Sequence, residues 1–538
     1  MPAAVGLAWM TFGMVSVGLY LFSAGFINYY HDKHHSRVAV TLVSVLSVGL
    51  SLCLLALLPV DVFLVSLTVD HQTGLKQEWA DEDTVYWITM ATFIVYYGCH
   101  ALIGLLLFFV LPFAYFYYKK YDEDQDRRQR ALTGIRYTVG FGILASVLFM
   151  IGLFGRPTQL PVQLELEWFL NLINESHGEK AISFVMACPQ LLGMFIFVAY
   201  TAPGLSILPF KFLKDRGRVD TEYEDITARL ASNIEQQRKI EHHPTSSRST
   251  HSEQERTLHN LIDEAKIFER QLKDLEDDRN KWRYKLWLMF RPFELAFGIF
   301  LLVVSFLIVL CIILSCFDKM VFSICGSECG YIASSPDFFQ PINFILVNIQ
   351  RAFPLDYMLL VGLIVYLLVV TMVGIDSLGL KFLWVTLYRV ERKATGAQAL
   401  VISSTLLTLG LLAANYSIVS FIAPAYAHFG SQVYCNSEEG DVRDCSLDVD
   451  LIVPCDIYGP TDICTPTVIS TSIDRISFNS PRVSAVYYYS HWVFVVTYVA
   501  GFVMSLVRKP PKDIGEEEGL LDRTGKKAYQ TISDQITK

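Results

Sequence analysis

Charge is scarce in this sequence, and several kinds of motif are missing from it. Asp, Glu, Lys and Arg make up 18% of the chain, below the average of about 25% for soluble proteins. The net charge is −9, and no basic face interleaved with aromatic residues is present, so nucleic acid is not an expected partner. The chain contains no Gly-x-x-x-x-Gly-Lys-Ser/Thr loop, no His-Glu-x-x-His and no Gly-x-Ser-x-Gly. Nucleotide hydrolysis through a phosphate loop, zinc proteolysis and nucleophile-elbow chemistry are thereby set aside, and no catalytic or metal-binding residues are expected. Energy for any uphill transport would have to come from a gradient or from a partner. No basic residue precedes the first apolar run, which is as long as a true span, so it reads as a retained helix and not as a cleaved signal.

What the sequence has in abundance is apolar length. Nine runs lie at roughly 5–27, 38–67, 86–116, 137–154, 181–212, 293–316, 344–373, 400–422 and 486–507. A helix of about 18 or more apolar residues can cross a bilayer core. Nearly every run lacks the polar face of a surface helix in a soluble protein. The expectation is an all-α polytopic membrane protein with nine transmembrane helices. A charged block splits them five and four, giving membrane regions at 1–212 and 291–507, a cytosolic block at 213–290 and a polar tail at 508–538.

Basic residues set the orientation. Odd-numbered loops carry Lys33 and Arg37, then Lys119, Lys120, Arg127, Arg128 and Arg130, then Lys381, Arg389, Arg392 and Lys393. Even-numbered loops carry fewer: Lys76, then Arg156 and Lys180, then Lys319, and in the long eighth loop Arg443, Arg475 and Arg482. The N-terminus is expected in the lumen and the C-terminus in the cytosol.

Cysteine placement agrees with that orientation. Of eleven cysteines, Cys53, Cys99, Cys188, Cys311 and Cys316 lie in or beside spans. The other six, Cys325, Cys329, Cys435, Cys445, Cys455 and Cys464, all fall in loops assigned to the lumen, as disulfides would. Spacing alone does not choose among the possible pairings. The working pairs are Cys325–Cys329 and Cys455–Cys464, which leaves Cys435 with Cys445, in a luminal loop over 424–485. A metal site is the rival reading, but no His sits at ligand spacing beside them. The sequon at Asn174 falls in a luminal loop and is a candidate glycosylation site, whereas the match at Asn415 lies within a span.

The cytosolic block has helical periodicity. Leu258, Leu261, Ala265, Phe268, Leu272 and Leu275 recur at spacings of three and four, in phase with Trp282 and Leu286. Ile226, Leu230, Ile234, Gln237 and Ile240 form a weaker earlier stripe, and a polar linker with Pro244 separates the two. Two such helices would pack as an antiparallel coiled-coil hairpin, or offer the stripe to a partner helix. The Ser/Thr-rich linker is a candidate for phosphorylation. The segment 378–392 mixes apolar residues with Lys381 and Arg389, which reads as an interfacial helix or a continuation of span seven.

The tail holds two short sorting patterns. Glu516 stands four places before the Leu520–Leu521 pair, and Tyr529 stands three before Ile532. Both look like signals that clathrin adaptors read, pointing to endosomal or lysosomal sorting without changing topology.

Within the spans, Asp61 and Asp356 both follow a proline and an apolar residue. An intramembrane carboxylate costs about 3 kcal/mol on insertion scales, so it faces protein or water. Two expectations stand side by side: a luminally open polar cavity lined by Asp61 and Asp356 with His100, or carboxylates that reach the interface and pair with neighbours such as Arg351.

Three segments carry a resemblance: 57–66 (LLPVDVFLVS), 353–357 (FPLDY) and 423–432 (APAYAHFGSQ), with the Cys455 and Cys464 pair fitting as well. Together with the five-plus-four split, the chain resembles the limb-region-type membrane protein family. The resemblance implies a lysosomal, multi-pass protein needed for cobalamin to reach the cytosol. It further implies an escort role, in which the protein travels from the endoplasmic reticulum with an ABC half-transporter and works beside it. A cytosolic cobalamin-processing protein is another implied partner, and adaptor-dependent uptake of a cell-surface receptor a second implied role. Cobalamin is then cargo and not a cofactor. The sequence has no Asp-x-His-x-x-Gly motif; 70–74 (DHQTG) lacks the spacer. The competing reading is an endocytic receptor for an extracellular protein such as a lipocalin, binding through 427–483. A third, a self-sufficient carrier, rests on Asp61 and Asp356 alone.

Overall fold

The computed structural model describes residues 2–31, 38–119, 127–154, 177–214, 282–323, 338–382, 385–388, 397–436 and 451–507, with scattered positions between 227 and 331 and at 445. Of the two stripes of the expected coiled-coil hairpin, Leu230, Ile234, Gln237, Leu258, Ala265, Trp282 and Leu286 are described, each in helical conformation, and the rest lie outside the described residues, as do the sorting tail, Asn174, Cys325 and Cys329. Among those described, nine helical segments are long and apolar enough to cross a membrane.

Span one is α1 (Pro2–Tyr30). Span two is α2 (Val38–Ala56) followed by α3 (Leu58–Ser66). The break falls at Leu57, because Pro59 in the first turn of α3 has no N–H to continue the ladder. Span three is α4 (Glu82–Leu105), a π-turn (Leu106–Val110) and α5 (Leu111–Lys119); span four is α6 (Arg127–Phe154). Span five is α7 (His177–Ile196), a π-turn (Phe197–Thr201) and α8 (Ala202–Lys214). Helix α9 (Trp282–Phe322) contains span six.

The apolar run at 344–373 is not one helix. It divides into α10 (Pro341–Gln350), too short to span, and the membrane-spanning α11 (Leu355–Leu378). Pro354 between them cannot donate to a helical ladder. The segment after span seven also departs from expectation. Gly379, at φ +71°, ends α11, and β1 (Leu380–Phe382) pairs antiparallel with β2 (Val385–Tyr388) in place of an interfacial helix. Left-handed backbone suits glycine, and the β-branched Val385 and Thr386 favour extension.

Span eight is α12 (Ala397–Ser417) with a π-turn (Ile418–Ile422). After it come α13 (Pro424–Phe429), the antiparallel pair β3 (Val433–Cys435) and β4 (Ile452–Pro454), and α14 (Val468–Asn479). Span nine is α15 (Pro481–Val507).

Spans two, five, seven and eight form the centre, with 56–67% of their most apolar windows buried; spans one, four and nine are at 6–17% and turn their side chains outward. Lipid tails are as apolar as leucine, so close backbone packing holds such a centre together. Spans five and seven cross at two reciprocal glycines. A Cβ on Gly204 would strike the Val370 carbonyl, and one on Gly374 would strike the Tyr200 carbonyl. The Thr201 and Thr371 hydroxyls share a hydrogen bond of 2.8 Å at the same crossing.

By packing, the chain divides into one unit of Met1–Ile207 with Val304–Val503, and another of Leu208–Val303 with Met504–Lys538. The first contains Asp61, Asp356, His100 and the elements around them. Within the second, Phe212 meets Phe297 edge-on at 5.4 Å.

Candidate functional site

One end of the first unit is closed by a cap of short elements. Helix α3, α10, α13, α14 and the β3–β4 pair supply it. The connection after span two joins them: Gly74 O accepts from the Cys435 N–H at 3.2 Å, and His71 Nε2 lies 3.4 Å from Ser431 Oγ. Loops two, six and eight therefore lie at the same end, as residues from each contact the cap.

Asp61 is 1% exposed and accepts a hydrogen bond from the Ile469 N–H at 3.0 Å. Ile469 is in the first turn of α14, where backbone N–H groups have no partner within the helix and the helix dipole favours a negative charge. Thr467 caps the same helix, its hydroxyl oxygen accepting from Ser470 N–H at 3.2 Å while its O–H donates to Ala427 O at 2.6 Å. A carboxylate in span two thus holds the start of α14.

Asp356 is wholly buried, and its Oδ2 accepts from the Tyr426 hydroxyl at 3.0 Å. Tyr426 belongs to α13, and its N–H donates to Asn343 Oδ1 at 3.2 Å. Asn343 donates to Gln340 Oε1, Gln340 donates to Ser315 Oγ at 2.8 Å, and Ser315 donates to Phe421 O at 2.6 Å. This chain of polar groups links α9, α10, α11 and α13 where water is excluded, and pairs one of the two Asp356 carboxyl oxygens.

The structure does not bring His100 to either carboxylate by a hydrogen bond. It is 8% exposed, its Nδ1 lies 3.1 Å from its own helix's Tyr96 O, and its Nε2 has no hydrogen-bond partner among the described residues. Asp61 and Asp356 act on different parts of one cap, the first on α14 and the second on α13. Arg351 is exposed at the end of α10.

Residues that sequence reasoning did not single out complete the cap. Gln350 Nε2 donates to Val62 O at 3.2 Å and to Ser66 Oγ at 2.7 Å, and Phe63 stacks on Phe353 at 3.9 Å. The three segments at 57–66, 353–357 and 423–432 are far apart in sequence, yet these contacts and the Tyr426–Asp356 bond assemble them at one place. Cys435 is bonded to Cys445 and Cys455 to Cys464, which fastens the β3–β4 region. Phe429, Ile457 and the second disulfide pack together there, with Tyr434 against them.

His428 is the other residue the sequence did not flag; only its helical neighbours and a distant Asp474 disclose its role. Its Nε2 lies 2.9 Å from Asp474 Oδ2 and its Nδ1 2.8 Å from Pro424 O, with both side chains buried. Burial pushes the imidazole down, but the Asp474 carboxylate and the Pro424 carbonyl together hold it above its ordinary value. Near this pair the Lys319 ammonium lies 4.4 Å over the Phe421 ring, which also stacks on His491 at 3.7 Å.

Comparison with known proteins follows the same lines. The sequence profile of the LMBR1-like membrane protein family matches residues 8–282. A protein of Ajellomyces capsulatus named "Probable lysosomal cobalamin transporter" is 34% identical over 98% of this chain and 95% of its own length. Proteins of the same name from Sclerotinia sclerotiorum and Pyrenophora tritici-repentis are each 34% identical, over 98% and 93% of this chain and 94% and 91% of their own. No solved structure matches. With a family match over residues 8–282 and relatives similar over nearly its full length, the chain belongs to the LMBR1-like membrane protein family.

Proposed function

We propose that this protein serves the export of cobalamin from the lysosome to the cytosol. The observation that carries the reading is the end-to-end similarity to relatives named for lysosomal cobalamin transport, which covers 98% of this chain. A transport role also fits nine candidate spans and a sequence without catalytic signatures.

The capped end faces the lumen in this reading. The loops that build it are the ones with few basic residues and with all the extramembrane cysteines, and an oxidising compartment keeps such disulfides intact. The cytosolic side then carries the coiled-coil hairpin and the sorting tail. The protein escorts an ABC half-transporter to the lysosome and remains beside it, and clathrin adaptors read the tail. The buried Asp61 and Asp356 support this division of labour, because both are engaged in holding the cap and neither is displayed to a solvent path.

The test is deletion of the gene in cells fed labelled cobalamin, with the label measured separately in lysosomes and cytosol. Free cobalamin trapped in lysosomes, and released on re-expression, is the expected result. An unchanged distribution overturns the proposal and leaves the endocytic-receptor reading in front. Recovery of an ABC half-transporter with the purified protein tests the escort role separately.

A further inference from the structure

We infer that the His428–Asp474 contact is an acid-operated latch, closed when the imidazole is protonated and fastening α13 to α14 across the cap. The geometry asks for the charged ring. Nε2 faces a carboxylate oxygen at 2.9 Å and Nδ1 faces a carbonyl oxygen at 2.8 Å. A neutral imidazole has one N–H, so one of its nitrogens would set a lone pair against an acceptor; only the imidazolium donates to both. Losing the proton therefore costs the pair twice, once in the hydrogen bond and once in the attraction.

The surroundings allow a single group to dominate. Asp474 on α14 is the carboxylate that meets the ring, and Lys319 on α9 is the cation that opposes its protonation. Asp61, the ionisable residue of α3, is committed to the Ile469 N–H, and neither α10 nor the π-turn Ile418–Ile422 contains an ionisable side chain. Arg475 follows Asp474 on α14 and has interactions of its own. The sign follows from the direction of the shift. His428 is held above its ordinary value, so its stabilising contribution is complete below about 6.5, the value of a free imidazole, and fades as pH rises through the folded value. Acid closes the latch and neutral or alkaline pH loosens it. His71 at the cap edge has the opposite tendency, since burial and Arg351 push its imidazole down.

The consequence for a protein that passes from a near-neutral to an acidic compartment is a cap that tightens on arrival; that consequence rests on the luminal orientation proposed above. The latch itself does not, and it is tested apart from cobalamin. Hydrogen exchange of the purified full-length protein in detergent, corrected for the intrinsic pH dependence, is followed between pH 5 and pH 8 in peptides from 424–436 and 467–480. The wild type is expected to lose on the order of tenfold protection there across the range, with peptides from span seven unchanged. Flat protection of the cap in the wild type overturns the proposal without any variant. His428→Gln, neutral at every pH, is expected to abolish the dependence, and His71→Gln to leave it. A His428→Gln protein that keeps folded spans and the wild-type pH dependence overturns it equally.

Discussion

Asp61 in span two and Ile469 at the start of α14 are separated by 408 positions, yet the carboxylate accepts the backbone N–H at 3.0 Å. The contact ties a membrane helix to the first turn of the last helix before span nine. It also gives a buried acidic side chain a natural partner, the positive end of a helix, without any basic side chain.

Replacing Asp61 should therefore damage the cap more than the span. Asp61→Ala leaves the N–H of Ile469 buried and unpaired, a loss of about 1–3 kcal/mol. Asp61→Asn keeps an acceptor and should cost less. Thermal unfolding of the detergent-solubilised variants checks the order; equal melting for wild type and Asp61→Ala would remove Asp61 as an anchor.

Tyr426→Phe takes away the hydroxyl that donates to Asp356 and strands a buried carboxylate, again at about 1–3 kcal/mol. The loss should shrink when Asp356→Asn is made in the same chain, because the charge is then gone. A double-mutant cycle on unfolding temperature reads the coupling, and strict additivity would mean that the two residues do not act together.

The crossing of spans five and seven has no room for a side chain. Gly374→Val should push the Tyr200 backbone away and Gly204→Val the Val370 backbone. Overpacking of this kind costs about 1–3 kcal/mol or more. Both variants should elute as aggregates on size exclusion and remain in the endoplasmic reticulum. A monodisperse, correctly sorted Gly374→Val protein would show that the helices do not approach so closely.

The tail makes a prediction independent of the fold. Combined replacement of Leu520, Leu521 and Tyr529 by alanine should shift the protein from lysosomes to the cell surface, as surface biotinylation would register. Unaltered lysosomal residence would dismiss both tail patterns as sorting signals.

The sequence by itself determined the class of molecule. Apolar length fixes which segments can enter a bilayer, since a helix must satisfy its own backbone there, and each of the nine runs overlaps one of the nine candidate spans among the described residues. The sequence also placed Asp61, Asp356 and the cysteines of the eighth loop, because a proline-flanked carboxylate or a clustered cysteine is visible in one dimension. Tertiary structure decided what those residues do. Pro59 and Pro354 mark breaks, but apolar composition reads straight across them, so the division of 344–373 into α10 and α11 was not legible. Nor was the strand pair after Gly379, where short segments take their conformation from a turn. The partners of Asp61, Asp356 and His428 lie 408, 70 and 46 positions away. Helical periodicity relates residues only three or four apart, and a contact between distant elements exists only once the helices have packed.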